Sequence, residues 1–274
     1  MDNAGRGRSR PKRKRLEKKT LKEEQNANQT LTAATLEKGE LSIDIGQRDI
    51  PLVRCSQNVR SKAIFVLDNA SLQKGLVRKE WKILNSDDDA QLLLNQRKNL
   101  NDYRPDIVHE ALRSILDSPL NKAGMVAAIY VKIDKGLLFE VRPHVRLPRT
   151  CKRFCGVILE LLQKSRVYAK DTNEVLLRVL EEPVTRHLPV NSHIIGLSYN
   201  SERLVDIEDY VSAMDYAVSP VYVIPMCSQV GAMVNGSVKK DYMHDYISVS
   251  GYPLSAKCCI GLICEAMEQK WNIF

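Results

Sequence analysis

The fold can be traced outward from AIFVL (Ala63–Leu67), five consecutive apolar residues that follow a long polar stretch. A short apolar run bounded by polar residues is typical of a buried strand. We therefore expect order to begin at residue 63. Residues 1–62 are then a basic, largely disordered tail and a polar linker with room for one short strand, and residues 63–274 form the folded domain.

Downstream of this strand, helical and strand patterns alternate. Apolar residues at helical spacing predict helices from Pro105 to a stop at Pro119, over about 154–162 and over about 255–269, and a further helix is predicted at Glu174–Leu180. Strands are predicted at 129–133 and 137–141, joined as a hairpin by Asp134-Lys135-Gly136, and at 194–197, 221–224 and 246–249. This alternation indicates an α/β fold with a largely parallel sheet.

The net charge of +8 lies entirely in the N-terminal tail. Residues 1–22 hold ten Lys and Arg against two Asp and Glu, and the other 252 residues hold 31 of each sign. The Pro11-Lys12-Arg13-Lys14-Arg15 cluster favours a nuclear or nucleolar address with a loose affinity for phosphate, although a solvated tail without a function has the same composition. The balanced body excludes a histone-like protein.

The composition also bears on the cellular compartment of the protein and on the kinds of metal or catalytic site that it can form. No apolar run approaches the ~20 residues of a membrane span, and the N-terminus lacks a signal peptide, so we expect a cytosolic or nuclear protein with reduced thiols. Cys151 and Cys155 are one helical turn apart, but paired CxxC knuckles, HExxH and GxSxG are absent. We therefore expect no metal and no hydrolytic triad, and interpret the seven Cys as buried apolar residues.

A cation-rich segment, residues 142–153, is the first candidate for binding chemistry. It holds five Lys and Arg and no acid, and Arg149 and Arg153 share a helical face at the start of the predicted helix. Arginine guanidinium groups match phosphate oxygens, and a helix N-terminus adds backbone donors. The segment is either an RNA groove or a solvated loop whose cations pair with acids elsewhere.

Two weaker candidates lie on either side of it. Arg104-Pro105-Asp106 can form a local ion pair that orients the guanidinium, or can be an ordinary helix start. Glycine-bearing loops follow the C-terminal strands at 196–198, 230–236 and 250–255, where ligands of α/β sheets bind, but none is GxGxxG. On its own, each loop is more simply an ordinary strand-to-helix turn.

Taken together, the motifs resemble a known family. DYRPDIVHEAL, LDSPLNKAG, the Glu140–Phe154 pattern, PVTRHLPV, GLS, VGAM and YPLSA occur in this order. From about Ala63 to Phe274 the chain resembles the ribosome-biogenesis pseudouridine N1-methyltransferases of the SPOUT class. That resemblance implies a mostly parallel α/β sheet with helices on both faces, a C-terminal trefoil knot and a homodimer.

The resemblance also implies a reaction and its residues. S-adenosylmethionine would methylate N1 of a pseudouridine in small-subunit ribosomal RNA, in the nucleolus and alongside pre-ribosome assembly factors, with no metal and no membrane. Matching positions for RNA binding are Arg104, Asp106, Arg146, Arg149 and Arg153. Matching positions for the cofactor are Leu197, Gly231, Gly236, Val249, Ser250, Gly251, Tyr252, Pro253 and Leu254. No catalytic base is assigned.

Three positions depart from the family pattern, all on the cofactor side. Pro225-Met226-Cys227-Ser228-Gln229 looks like an insertion, either a bulge or a solvent loop, and Pro225 favours a break in the strand. Asn235 stands where a larger polar residue is usual, and Gly251 replaces an asparagine. An RNA-binding assembly factor with weak or lost catalysis is therefore the competing hypothesis. A nucleotide-binding enzyme for a small metabolite would not explain the cation-rich segment.

Overall fold

The computed structural model describes residues 61–226 and 242–273, which belong to one compact unit. Its α-helices are α1 (Ala90–Asn95), α2 (Pro105–Asp117), α3 (Pro119–Lys122), α4 (Cys151–Lys164), α5 (Ile207–Ser212) and α6 (Ala256–Trp271). Its strands are β1 (Ala63–Ala70), β2 (Lys74–Val77), β3 (Glu80–Ile83), β4 (Val126–Ile133), β5 (Leu138–Val141), β6 (Arg166–Tyr168), β7 (Val175–Leu180), β8 (Ser192–Leu197), β9 (Ser219–Pro225) and β10 (Asp245–Ile247). Short 3-10 helices span Leu100–Asp102 and Val184–His187.

Eight strands form one mixed sheet in the order β10-β8-β9-β1-β4-β5-β7-β6. The four pairings from β10 to β4 are parallel, and the three from β4 to β6 are antiparallel. The sheet is therefore mostly parallel, as predicted. β1 lies in its parallel half with a hydrogen-bonded neighbour on each edge, and all five residues of the AIFVL run are buried. β2 and β3 form a separate hairpin.

Alternate residues of β1 enter two cores. Phe65 and Leu67 point into the larger apolar cluster, which α2, α3, α4, α5 and α6 cover, whereas Ile64 and Val66 point into a smaller cluster on the other face. Among the described residues, this second face is covered by the 3-10 helix at Val184 and by Leu188, Tyr242 and Met243. Helices are predicted on both faces of the sheet. On this second face, the described residues include only that 3-10 helix.

The prediction of a helix at Glu174–Leu180 is wrong. These residues form β7, which lies between β5 and β6 and pairs with both. Val175 and Val179 are β-branched and favour an extended backbone, and Leu177 alone is fully buried. Seven residues are too few for local helical spacing to outweigh hydrogen bonds on two sides of a strand.

Two prolines behave differently from the prediction. α2 ends at Asp117 as expected, but Pro119 then opens the short helix α3, where its fixed φ suits the first turn. Pro225 does not break β9: it is the last residue of the strand and pairs with Asp68. β9 stops pairing with β8 at Val223, so the missing N–H of Pro225 falls where no partner strand needs it.

The other predicted elements are confirmed within about three residues at each end, including the β4–β5 hairpin and the C-terminal helix α6. None of the described helices is long and apolar enough to cross a membrane. The tail, the short linker strand, Gly231, Asn235 and Gly236 lie outside the described residues, as does the remainder of the supposed insertion after Met226.

Candidate functional site

Arg104 and Asp106 form the ion pair that their spacing predicts. Arg104 precedes α2, and its Nε and Nη2 donate to the two carboxylate oxygens of Asp106 at 2.9 and 2.7 Å. The hydrogen bond with Asp106 raises the pKa of the guanidinium, so Arg104 carries its charge at any working pH. Its Nη1 group contacts no other described residue and remains available for an external acceptor.

The cation-rich segment, residues 142–153, divides into paired and unpaired cations. Arg142 lies 3.4 Å from Glu140, and His144 lies 3.1 Å from Glu174. Four further cations are exposed, and none has a carboxylate partner among the described residues: Arg146, Arg149, Lys152 and Arg153. Acids of the described part of the chain therefore do not neutralise these four cations, as the alternative of a solvated, salt-bridged loop would require.

Two buried side chains hold this segment in place, and sequence reasoning missed both. Asn121 donates through Nδ2 to the carbonyl of Pro143 at 2.8 Å, and His109 donates through Nε2 to the carbonyl of Pro148 at 2.8 Å. The His109 ring also stacks on Phe154 of α4, with the ring centroids 4.8 Å apart. The backbone on both sides of Arg146 is thus fixed to α2 and α3. Periodicity carries no signal for such long-range contacts.

The N-terminus of α4 adds backbone donors to the unpaired cations. Its N-cap residue, Thr150, makes no side-chain cap, and the first turn contains no acid. The first amides of the helix are therefore open to an anion, with Arg149 and Arg153 beside them. The N-terminus of α2 lies close by. A hydrogen bond from Cys155 lowers the pKa of the Cys151 thiol, and the charge of Asp106 is near enough to oppose that shift.

The second predicted site lies at the carboxyl ends of β8 and β10. Leu197, the last residue of β8, pairs with Ile247, and the Ser198 amide donates to the Ile247 carbonyl at 3.0 Å. The predicted cofactor residues Val249–Leu254 follow at once, so the structure brings them next to Leu197. Gly251, Tyr252 and Pro253 are exposed, with Tyr252 at 79%. Parallel strands that end together, followed by an exposed loop, form the usual ligand edge of an α/β sheet.

Hydroxyl groups fix the shape of this loop. The Ser248 hydroxyl donates to the Ser250 carbonyl at 2.8 Å, and the Ser250 hydroxyl accepts from the Tyr252 amide at 3.0 Å. Ser255 ends the loop and caps α6 by accepting from the Cys258 amide. A side chain at Gly251 would meet no atom within 4 Å. The glycine is therefore not required by packing.

The chain around β10 makes backbone hydrogen bonds on two sides, with β8 and with the segment that leaves β8. β8 pairs with β10 on one side. On the other side, the Ser248 amide donates to Arg203 and its carbonyl accepts from Val205, both at the far end of the segment that leaves β8. Ser201 closes the loop by donating to the carbonyl of Tyr246 at 2.8 Å. The connection from β8 to α5 therefore passes around the end of β10.

A polar cluster at Asp245 fixes the start of β10 and was not predicted. The Asp245 carboxylate accepts from Tyr210 at 2.6 Å and from Arg203 at 2.6 Å, and it lies 2.8 Å from His193 Nε2. These residues come from α5, the β8–α5 connection and β8. The lone histidine and tyrosine carry no spacing signal that sequence reasoning could have used. In the described part of the chain, no group of three His, Cys, Asp or Glu has the arrangement of a metal site.

Comparison with known proteins places this geometry in a family. The family model described as EMG1/NEP1 methyltransferase matches residues 65–268. The chain belongs to the EMG1/NEP1 methyltransferase family. The matched range contains every position predicted here for RNA or cofactor, so the resemblance drawn from the motifs is confirmed.

Similar EMG1/NEP1 proteins come from animals, fungi and archaea. The ribosomal RNA small subunit methyltransferase NEP1 of Mus musculus is 37% identical over 212 residues, which cover 77% of this chain and 83% of the mouse protein. NEP1 of Candida albicans is 38% identical over 71% of this chain and 70% of its own length. The crystal structure of Archaeoglobus fulgidus Nep1 bound to S-adenosylhomocysteine matches with a TM-score of 0.61 at 18% identity, over 77% of this chain and 99% of that one, which supports the fold.

Proposed function

We propose that this protein transfers a methyl group from S-adenosylmethionine to N1 of a pseudouridine in small-subunit ribosomal RNA. Relatives that are 37% and 38% identical are named ribosomal RNA small subunit methyltransferases. The observation that carries the proposal in this chain is the set of exposed, unpaired cations around the N-terminus of α4. Such a surface is suited to a phosphate backbone rather than to a small neutral metabolite.

In this proposal the RNA is held between the N-terminal ends of α2 and α4. Arg146, Arg149 and Arg153 contact phosphates, and the open amides of α4 donate to one further anionic oxygen. Asp106 holds Arg104 in one orientation, so that its free Nη1 edge can donate to the RNA with a fixed direction. Binding of the RNA backbone holds the strand in place while the target base leaves its stack and enters a pocket.

The cofactor is assigned to Leu197, Gly231, Gly236 and the stretch Val249–Leu254. The described part of this set carries no charged side chain, and its Gly251, Tyr252 and Pro253 are exposed, so a ligand can reach the backbone of the loop. S-adenosylmethionine would supply an already activated methyl group, so alignment is the main requirement on the protein. Leu197 and the loop align the donor, and the arginines align the acceptor. No described carboxylate or histidine lies in this loop, and the catalytic base stays unassigned.

The proposal extends to topology, assembly and location. The passage of the β8–α5 connection around β10 supports a C-terminal trefoil knot within a folded domain that begins near residue 63. A homodimer and a role beside pre-ribosome assembly factors follow from the family resemblance. The basic cluster at residues 11–15 supports nuclear and nucleolar localisation, with residues 1–62 acting as an address and linker.

Arg149→Ala tests the RNA groove. Loss of one phosphate contact should weaken binding of a pseudouridine-containing RNA hairpin and reduce the slope of log affinity against log salt by about 1. Fluorescence anisotropy across a salt series measures both quantities. Arg166→Ala is the matched control, because Arg166 is also exposed but follows the opposite end of α4, about 20 Å away. Equal affinities and slopes in all three proteins would reject the groove.

A second candidate function is an RNA-binding assembly factor without catalysis. Among the described residues it is favoured by Gly251, which lacks the side-chain amide of the asparagine that the family pattern has there. Calorimetric titration with S-adenosylmethionine and methylation of the same RNA hairpin separate the two functions. Absence of cofactor binding at millimolar concentration would remove the methyltransferase proposal, whereas methylation would remove the alternative.

Gly251→Asn should tighten cofactor binding about fivefold, because the space beside Gly251 is open and an amide adds one hydrogen bond. Gly251→Ala, which adds no donor, is the control.

A further inference from the structure

The β2–β3 hairpin presents an exposed aromatic surface away from the sites described above. Leu76 and Trp81 are directly paired across the two strands and therefore lie on the same face. Leu76 is 54% exposed and Trp81 is 53% exposed, although a tryptophan is one of the most costly side chains to leave in water. Trp81 belongs to none of the three apolar clusters of the described residues.

Cations surround this aromatic side chain. Lys74 Nζ lies over the Trp81 ring, 5.7 Å from its centroid. Arg78 and Lys79 form the tip of the hairpin, are exposed, and have no ion-pair partner among the described residues. Glu80 is the single acid in β2, β3 and the tip between them. The hairpin therefore combines a flat aromatic face with a local excess of positive charge.

The backbone conformation at the tip of the hairpin is not one that arginine and lysine favour. Arg78 and Lys79 have φ values of 50° and 71°, both in the left-handed region. A two-residue hairpin turn with two positive φ values favours Asn-Gly, which adopts this region with little strain. Two long cationic side chains are strained there. Strained residues that persist are found preferentially at functional positions.

The hairpin is attached to the helix that carries the proposed RNA contacts. β3 packs against α4, and Ile83 at the end of β3 is buried in the main core. On the other face of the hairpin, Lys82 pairs with Asp89 at 2.8 Å, which fixes β3 to the start of α1. The exposed face of the hairpin is therefore rigidly placed beside the helix whose first turn holds Arg153.

We propose that this hairpin is a second RNA contact, in which a base of a single-stranded segment flanking the modified hairpin stacks on Trp81. Lys74, Arg78 and Lys79 contact the phosphates of the same segment. Aromatic side chains framed by cations are the usual platform for unpaired nucleotides, because every base offers a π face. Two apolar side chains within a cationic frame are too small an area for a stable protein interface. The proposal rests on the proposed function, since it requires an RNA in the groove.

Tryptophan fluorescence gives a direct test, because the chain contains only Trp81 and Trp271. Trp271 is 3% exposed, so external quenchers report mainly on Trp81. In the full chain carrying Trp271→Phe, an RNA hairpin with single-stranded extensions should quench the emission and protect it from iodide. The same RNA hairpin without extensions should do neither. Equal quenching by both RNAs, or by neither, would overturn the assignment.

Affinity measurements on variants complete the test. Trp81→Ala should bind the extended RNA about tenfold more weakly and the blunt hairpin unchanged, whereas Trp81→Phe should recover most of the affinity. Tyr168→Ala, at another exposed aromatic on β6, should have no effect. If Arg149→Ala weakens binding of both RNAs but Trp81→Ala weakens neither, only the hairpin proposal fails. If Trp81→Ala instead changes the mass measured by light scattering, the face binds protein and the proposal is wrong.

Discussion

At the scale of single residues, Asn121 connects the core to the proposed RNA surface. Its Nδ2 group donates to the carbonyls of Leu116 and Pro143, at 3.0 and 2.8 Å, while its backbone amide donates to the capping hydroxyl of Ser118. The first carbonyl belongs to α2 and the second to the cation-rich segment. One buried side-chain amide therefore sets the position of a loop whose Arg146, Arg149 and Arg153 are exposed.

Asn121→Ala removes both of these side-chain hydrogen bonds. The buried carbonyls of Leu116 and Pro143 would lose their donors, so we expect the free energy of unfolding to fall by about 2 kcal/mol. RNA affinity should fall as well, because the segment is released at its first end. Urea denaturation and fluorescence anisotropy measure the two effects. Asn95→Ala, at an exposed position on α1, should change neither quantity, and wild-type behaviour of Asn121→Ala would contradict this role.

How much of the site is predictable depends on how far apart its residues are in the chain. The Arg104–Asp106 pair could be predicted, because two residues on either side of a proline at a helix start lie within reach of each other. His109 and Asn121 could not be predicted, because their partners lie 39 and 22 residues away and become neighbours only when α2, α3 and the segment pack. Whether Arg149 has an ion-pair partner likewise depends on how distant parts of the chain pack, so it could not be predicted either.

At the scale of elements, Gly196 allows β10 to lie against β8. A Cβ added at this position would come within 2.2 Å of Met243 Sδ and 2.9 Å of Tyr246 Cδ2. The side chains that lead into β10 therefore occupy the space that a larger residue in β8 would fill. The cofactor assignment depends on this close approach, since Leu197 and the 249–254 loop come from these two strands.

Gly196→Ala should destabilise the protein by about 1–3 kcal/mol, because Met243 and Tyr246 must move. S-adenosylmethionine affinity should fall with it. Gly261→Ala is the opposite case, since this glycine lies inside α6 and its added Cβ meets nothing within 4 Å. Alanine there should stabilise the protein by about 0.5–1 kcal/mol through helix propensity. Thermal unfolding of both variants measures the contrast, and the same direction of change in both would refute the packing argument.

Elements of the parallel half were easier to predict than those of the antiparallel half. The cores of β1, β8 and β9 are apolar runs, because residues on both of their faces are buried. β7 lies near the antiparallel edge with one buried and several half-buried residues, so its pattern resembles that of a short helix. Only its pairing with β5 and β6 distinguishes the two, and that pairing depends on distant residues.

At the scale of the whole molecule, Asp245 joins β8, the β8–α5 connection, α5 and β10. The hydrogen bond from Tyr210 lowers the pKa of its carboxyl, burial opposes this, and the hydrogen bond from His193 and the charge of Arg203 lower it further. A carboxyl whose pKa is lower in the folded than in the unfolded state stabilises the fold above the ordinary value of 3.8. That contribution is lost as the pH falls through the folded-state pKa.

Asp245→Asn should therefore be less stable than the wild type at neutral pH, by about 1–2 kcal/mol, because its contacts with Arg203 and His193 lose their charge. Below pH 3.8 the difference should shrink, because the carboxyl of the unfolded wild type then takes up a proton, while the folded carboxyl stays charged down to its lower pKa. Chemical denaturation at a series of pH values measures the difference. Asp171→Asn, at an exposed turn residue, should show no such dependence. A difference that stays constant down to low pH would disprove the charge argument.

The passage of the β8–α5 connection around β10 also determines the order in which the protein becomes functional. Synthesis is vectorial, and the helices that carry the arginines precede β10 and the 249–254 loop in the chain. The residues proposed to contact RNA are therefore synthesised before those proposed to hold the methyl donor. In the proposed knot, the methyl-donor loop takes shape only after β10 has passed through the β8–α5 connection. Under this proposal, the residues that bind RNA come earlier in the life of the molecule than the capacity to modify it.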